Sequence, residues 1–210
     1  MASALCNEAP VNRGRLVVFE GVDGSGKSTQ LRLLAEHFAA SGVAHVVTKE
    51  PTDGTWGRKI RAMARSGELV AREEELRWFL EDRREHVEQV LRPGVDAGKI
   101  VLSDRYYLST VAYQGARGFD PLLLLAELEA EFPAPDLALI FEVDPIAGLA
   151  RVRARGGIAE PAFEEAEFLA RVAGVFHSLE RSYLARIDAR GDVESVARSV
   201  RATLRERLGI

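Results

Sequence analysis

The sequence is poor in the features that would direct it to an oxidising compartment, a membrane or a nucleic-acid surface. Its one cysteine, Cys6, excludes a disulfide framework within the chain and makes a reducing cytoplasm the simplest home. No apolar run of about eighteen residues occurs, so no membrane span is expected. Residues 1–14 lack the apolar core of a secretory signal and read as a short flexible leader. There is no basic excess either. A net charge of −4 disfavours a protein that coats nucleic acid. With no internal repeat and no linker rich in Pro, Gly or Ser, residues 15–210 are expected to form a single domain large enough to bury most of its apolar surface. Nearly all the basic residues are arginine and several of them cluster, which suits small anionic ligands held in a defined place. An arginine-rich genome is an equal explanation of the bias, though not of the clustering.

Short β-branched runs alternate with stretches of helical periodicity. Arg15–Glu20, Val43–Thr48, Ile100–Leu102 and Leu137–Phe141 read as strands, with a short fifth strand near Leu184–Ile187. Helices are expected over Ser28–Ala40, Arg58–Arg65, Thr110–Ala116, Pro121–Phe132, Pro145–Arg155 and Asp192–Leu208. A longer helix over Glu73–Leu91 is expected to break at Pro93-Gly94, and Phe163–Ile187 carries a long helical pattern. Strand–helix alternation predicts a doubly wound α/β fold, a five-stranded parallel sheet with helices on both faces.

Between the first strand and the first helix lies Gly21-Val22-Asp23-Gly24-Ser25-Gly26-Lys27-Ser28, which fits G-x-x-x-x-G-K-[ST] at every fixed position. Glycines let the backbone wrap closely and aim N–H groups at phosphate oxygens. The helix that follows points its positive end at the same place. Lys27 can reach the β- and γ-phosphates of ATP, and the Ser28 hydroxyl can sit on Mg²⁺, with Thr29 beside it. This motif implies a P-loop NTPase fold. No guanine-reading Asn-Lys-x-Asp and no Ser-Gly-Gly-Gln of transporter ATPases is present, which points to a small-molecule phosphotransferase. The third strand runs into Ser103-Asp104-Arg105. Strand C-termini face the ligand crevice of such a sheet, so Asp104 is a candidate for Mg²⁺ or its water shell.

The run Asp104-Arg105-Tyr106-Tyr107-Leu108-Ser109-Thr110-Val111-Ala112-Tyr113-Gln114-Gly115 resembles the signature of the thymidylate kinase family. Thr48-Lys49-Glu50-Pro51 resembles that family's Thr-Arg-Glu-Pro segment, and Phe79 with Arg83-Arg84-Glu85-His86 resembles its base-pocket helix. The likeness runs from Leu16 to about Val196. It implies ATP-dependent phosphorylation of dTMP, with Phe79 stacking on thymine and Arg83, Ser109, Thr110 and Gln114 making polar contacts to it. It further implies that Tyr113 crowds the sugar 2′ position, that Asp23 contacts the 3′-hydroxyl, and that Glu50 and Pro51 border the acceptor. Arg105 and Arg61 would clamp the acceptor phosphate, as a planar guanidinium suits. A lid at about 151–164 would close over ATP, with Arg153, then Arg155, as the charge-neutralising donor and Arg151 nearer adenine. Gly24 stands where some relatives carry that arginine, so a lid donor is required. A homodimer is implied as well.

Two departures stand out. Lys49 replaces the family's usual Arg and weakens a bidentate grip there, and the lid lacks the family's extra Asp-Arg. Two other readings are a kinase for a different monophosphate or a deoxynucleoside, and a non-catalytic ATP-binding regulator.

Overall fold

The computed structural model describes residues 13–66, 70–154 and 162–210. Its strands are β1 (Arg15–Glu20), β2 (His45–Lys49), β3 (Ile100–Asp104), β4 (Leu137–Glu142) and β5 (Leu184–Asp188). They form one parallel sheet in the order β2-β3-β1-β4-β5. Connections between parallel neighbours must cross the sheet, and helices make the crossings: α1 (Lys27–Ala40), α2 (Thr55–Ser66), α3 (Arg72–His86), α4 (Arg92–Asp96), α5 (Tyr107–Ala116), α6 (Pro121–Glu131), α7 (Pro145–Ala154) and α8 (Ala162–Ser178), while α9 (Val193–Leu208) follows the last strand.

Side chains alternate along a strand, so the apolar run of β1 is split between two cores. Leu16 and Val18 face a core that includes Val111, Leu125 and Val172, from α5, α6 and α8. Val17 and Phe19 face Leu34 of α1 and Val200 of α9, and Phe19 stacks on Phe141 with ring centroids 5.6 Å apart. Both faces are covered, which is why the strands read as continuous apolar runs rather than alternating ones.

Several element boundaries differ from the sequence reading, three of them with a clear physical reason. The helix expected to stop at Pro93-Gly94 continues instead: α3 leads into one π-turn, Val87–Leu91, and then into α4, which contains both residues. A proline ring collides with the carbonyl four residues back in a regular helix. The wider turn, closed by Arg92 N–H donating to Val87 O, accommodates it. The helical pattern over Phe163–Ile187 ends at Ser178, because Leu184 and its neighbours pair with β4 from Ala138 onward. Finally, α5 begins at Tyr107 rather than Thr110, since Tyr107 and Leu108 are wholly buried.

Candidate active site

All five strands run the same way, so the residues after β1, β2 and β3 meet at one end of the sheet, where the strand order reverses about β1. The glycine-rich turn Gly21–Gly26 wraps there and α1 starts at Lys27. Lys27 is buried, its Nζ donating to Gly21 O (2.9 Å) and Val22 O (2.8 Å). Burial, with the Arg105 guanidinium adding to it, pushes its pKa down to about 7 against the opposing pull of Asp23, Asp104 and Glu20. Ser28 Oγ donates to Asp104 Oδ2. Two hard oxygen donors therefore touch at the mouth of the cradle, the donor chemistry that Mg²⁺ takes. A pocket of about 270 Å³ lies over this turn, lined by Gly24, Gly26, Lys27, Ser28, Thr29 and Lys49, among others.

The tip of the turn abuts α7. A Cβ placed on Gly24, whose φ is +77°, would meet Gly148 O at 2.0 Å, and one on Gly148 would meet Asp23 O at 2.8 Å. Two glycines thus let the turn and α7 touch by backbone, with Val152 one turn further on lining the phosphate pocket. Arg151 Nη1 donates to Ala189 O at 3.3 Å, beyond β5. The described part of α7 does not bring Arg153 into the phosphate pocket. Arg155, the Gly156-Gly157 loop and the remaining lid residues to 161 lie outside the described residues, as does the leader with Cys6.

Arg105 bridges the phosphate pocket and a second cavity. It is a non-glycine residue at φ +76°, a conformation maintained only where its surroundings demand it. Ser103 Oγ donates to its carbonyl, and its own N–H donates to Phe19 O. Its Nη1 donates to Ser109 Oγ (2.8 Å) and its Nη2 to Asp23 Oδ1 (2.6 Å), while Tyr113 OH donates to Asp23 Oδ2 (3.0 Å). Crowding about the Asp23 carboxylate works against ionisation, but Arg105 and Lys27 outweigh it and hold its pKa below the ordinary value. Arg61 is anchored by Pro51 O, Thr52 O and the Asp53 carboxylate.

The second cavity, of about 730 Å³, brings together Asp23, Glu50, Pro51, Arg61, Phe79, Arg83, Arg105, Ser109, Thr110, Tyr113 and Gln114. Every substrate-binding residue expected from the sequence therefore lines one space, from four separate segments of chain. Arg83 and Gln114 are each only 1% exposed, and Arg83 Nη1 and Gln114 Oε1 have no hydrogen-bond partner among the described residues. Buried polar atoms are rarely left so. Both side chains belong to the cavity wall, and although the two atoms themselves are closed off, a ligand edge that offers an acceptor beside a donor would supply their missing partners.

Sequence reasoning missed Glu20. It is fully buried at the end of β1, accepting from Tyr106 N–H (2.9 Å) and Ser109 Oγ (2.5 Å). Burial drives its pKa up to about 7, the Ser109 bond and Arg105 only partly offsetting it. A carboxylate closing an otherwise apolar strand was the signal available. Asp82 was missed too. It accepts from Thr52 N–H (2.8 Å) and Oγ1 (2.6 Å) and so pins the loop that follows β2.

Among families of known proteins, the thymidylate kinase model matches residues 19–200. A thymidylate kinase of Desulfotalea psychrophila is 44% identical over 189 residues, covering 90% of this chain and 93% of that protein. One from Xanthomonas oryzae pv. oryzae is 44% identical over 191 residues, covering 91% and 83% respectively. One from Akkermansia muciniphila is 43% identical over 192 residues, covering 91% and 92%.

Proposed function

The chain belongs to the thymidylate kinase family and is a phosphotransferase acting on dTMP, and from that premise we propose that ATP donates the phosphoryl group, that Mg²⁺ is the cofactor, and that the residues gathered above divide the work as follows. The observation that carries the assignment is the pair Arg83 Nη1 and Gln114 Oε1 in the larger cavity. Thymine presents a 4-oxo acceptor beside an imide N–H donor and fits that pair, whereas cytosine presents the reverse. Phe79 on the cavity wall is the stacking surface for the base. Tyr113 and Asp23, joined at 3.0 Å, border the deoxyribose.

The phosphate-handling groups follow from charge. Gly21, Val22, Asp23, Gly24, Ser25, Gly26, Lys27, Ser28 and Thr29 form the ATP phosphate cradle, with Arg151 on the adenine side. Arg105 and Arg61 hold the acceptor phosphate, Glu50 and Pro51 shape its side of the cavity, and Arg153 or Arg155 supplies the lid charge. Ser28 and Asp104 are the residues that would hold Mg²⁺. Bound there, the ion neutralises charge on the donor phosphates. A nucleoside monophosphate is largely dianionic at neutral pH, its second pKa being about 6, so no strong general base is required. What this chain must do is align two polyanions that repel each other and exclude water. Lys27 and Arg105, cations on either side of Asp23, are suited to that.

The lone cysteine and the absence, among the described residues, of any helix long and apolar enough to cross a membrane support a cytoplasmic setting with no membrane partner. The acidic balance argues against a nucleic-acid partner. Leu122 and Leu123 near the start of α6 are 65% and 66% exposed, an apolar surface suited to a second copy in a homodimer. ADP release from ATP and Mg²⁺ with dTMP, compared with dUMP, dCMP and dGMP, tests the reading. Efficient turnover of dTMP over dCMP is expected. Equal rates, or ATP binding without turnover of any of the four, overturn it.

A further inference from the structure

We propose that His86 is a positioning residue for base recognition, fixing Glu50 and through it the plane of Arg83; the inference rests on the reading of the larger cavity as the thymine site. Arg83 enters from α3 and lies between the rings of Tyr106 and Phe132, 5.3 and 5.4 Å from their centroids. Its Nε and Nη2 both donate to Glu50 Oε2, at 3.0 and 2.6 Å, and Nη2 also donates to Thr110 Oγ1 at 2.9 Å. A guanidinium is planar and rigid, so once these two nitrogens are held the direction of Nη1 is set as well. The orientation of the donor that meets the base is thus decided largely by the Glu50 carboxylate.

That carboxylate has a second oxygen. Glu50 Oε1 lies 2.9 Å from His86 Nδ1, and His86 Nε2 lies 2.7 Å from Thr48 Oγ1. A carboxylate only accepts, so Nδ1 carries a hydrogen. In the neutral ring Nε2 then takes the Thr48 hydroxyl proton, and Thr48 selects the tautomer that points an N–H at Glu50. Burial alone would favour a protonated Glu50, but Arg83 and His86 overcome it and hold its pKa below the ordinary range. His86 is 2% exposed and is not among the residues lining the base cavity. Its influence on the base must therefore pass through Glu50. Without it the carboxylate keeps only its Arg83 anchor and is free to turn, carrying Nη1 with it. Among the described residues no hydrogen bond joins the Lys27 or Arg105 side chain to His86, Glu50 or Arg83, although Glu50 also borders the phosphate pocket.

The test is steady-state kinetics of the full-length protein with ATP and Mg²⁺. For His86→Leu, the KM for dTMP is expected to rise about tenfold and the preference for dTMP over dCMP to fall, with kcat and the KM for ATP within about twofold. His86→Asn, whose side-chain N–H lies near the Nδ1 position, is expected to recover most of the loss. Thr48→Val keeps the shape, frees the tautomer, and is expected to move the dTMP KM in the same direction by a few-fold. An unchanged dTMP KM in His86→Leu, no recovery in His86→Asn, or a parallel fall of kcat with both KM values overturns the proposal. Should His86→Leu not fold, Thr48→Val decides: an unchanged dTMP KM overturns it. Wild-type protein that fails to phosphorylate dTMP would instead overturn the functional reading itself.

Discussion

Lys27 is oriented in advance by two backbone carbonyls of its own loop, so its ammonium, which incoming phosphates would hold in the charged form, sits at the cradle with little freedom left to lose. Removing such a preorganised cation takes away stabilisation of charge in the transition state, typically about a hundredfold to a thousandfold in rate. Lys27→Ala is expected to lower kcat by about a hundredfold or more. The melting temperature should stay within a few degrees, measured by circular dichroism. On the proposed reading, Arg83 is the corresponding residue for selectivity. Lysine in its place can still pair with Glu50 but has no rigid fork to hold a second donor towards the base. Arg83→Lys is expected to raise the dTMP KM by about tenfold while the KM for ATP stays put, since one buried hydrogen bond to a substrate carries roughly that much. A rise in both KM values would contradict the separation of the two pockets.

At the scale of elements, the contact between the phosphate turn and α7 is made by backbone alone. Even one methyl group at Gly24 would overlap Gly148 O, at 2.0 Å, on a residue whose φ of +77° already disfavours a side chain. α7 and the turn must then separate, and α7 leads towards the segment proposed as a lid. Gly24→Ala is expected to destabilise the protein by about 1–3 kcal/mol and to lower kcat, checked by urea denaturation and by turnover. The same geometry explains why the turn has no room for an arginine of its own at position 24. The π-turn at Val87–Leu91 is a second device of this scale. It lets the helix continue past Pro93, so that Val87, Leu91 and Val95 all pack into one core.

For the molecule as a whole, Glu20 couples the site to folding. Its pKa rises from 4.5 to about 7 in the folded state, so between those values the native protein binds more protons than the unfolded chain. The contribution of Glu20 is therefore fully present below pH 4.5 and is lost as pH rises through about 7. Glu20→Gln removes that dependence. Between pH 5 and pH 8 the stability of the wild type is expected to fall relative to the variant by a few kcal/mol, at about 1.4 kcal/mol per pKa unit. Parallel stability curves from urea titrations would falsify this. The slope is the readout, since glutamine also loses one of the two acceptors that Tyr106 N–H and Ser109 use.

The phosphate turn and the five strands were legible in the sequence because each is a local pattern, fixed glycine spacing or an apolar run, whereas the residues expected to meet the acceptor came from the signature around Asp104 and the family it resembles. Helical periodicity alone favoured a core place for Phe79, and its position on the cavity wall is a matter of tertiary structure. The same is true of Glu20, Glu50 and His86, whose partners lie 89, 33 and 36 residues away in the chain. Local periodicity also misjudged Pro93-Gly94, where packing of the helix against the core outweighed the usual preference to stop. The amino-acid order by itself determined what chemistry is available and roughly where along the chain it lies, since motifs and strands are written in neighbouring residues. Only the folded sheet decided which buried charges meet, because pairing across the interior depends on strand order and helix packing, which neighbouring residues do not encode.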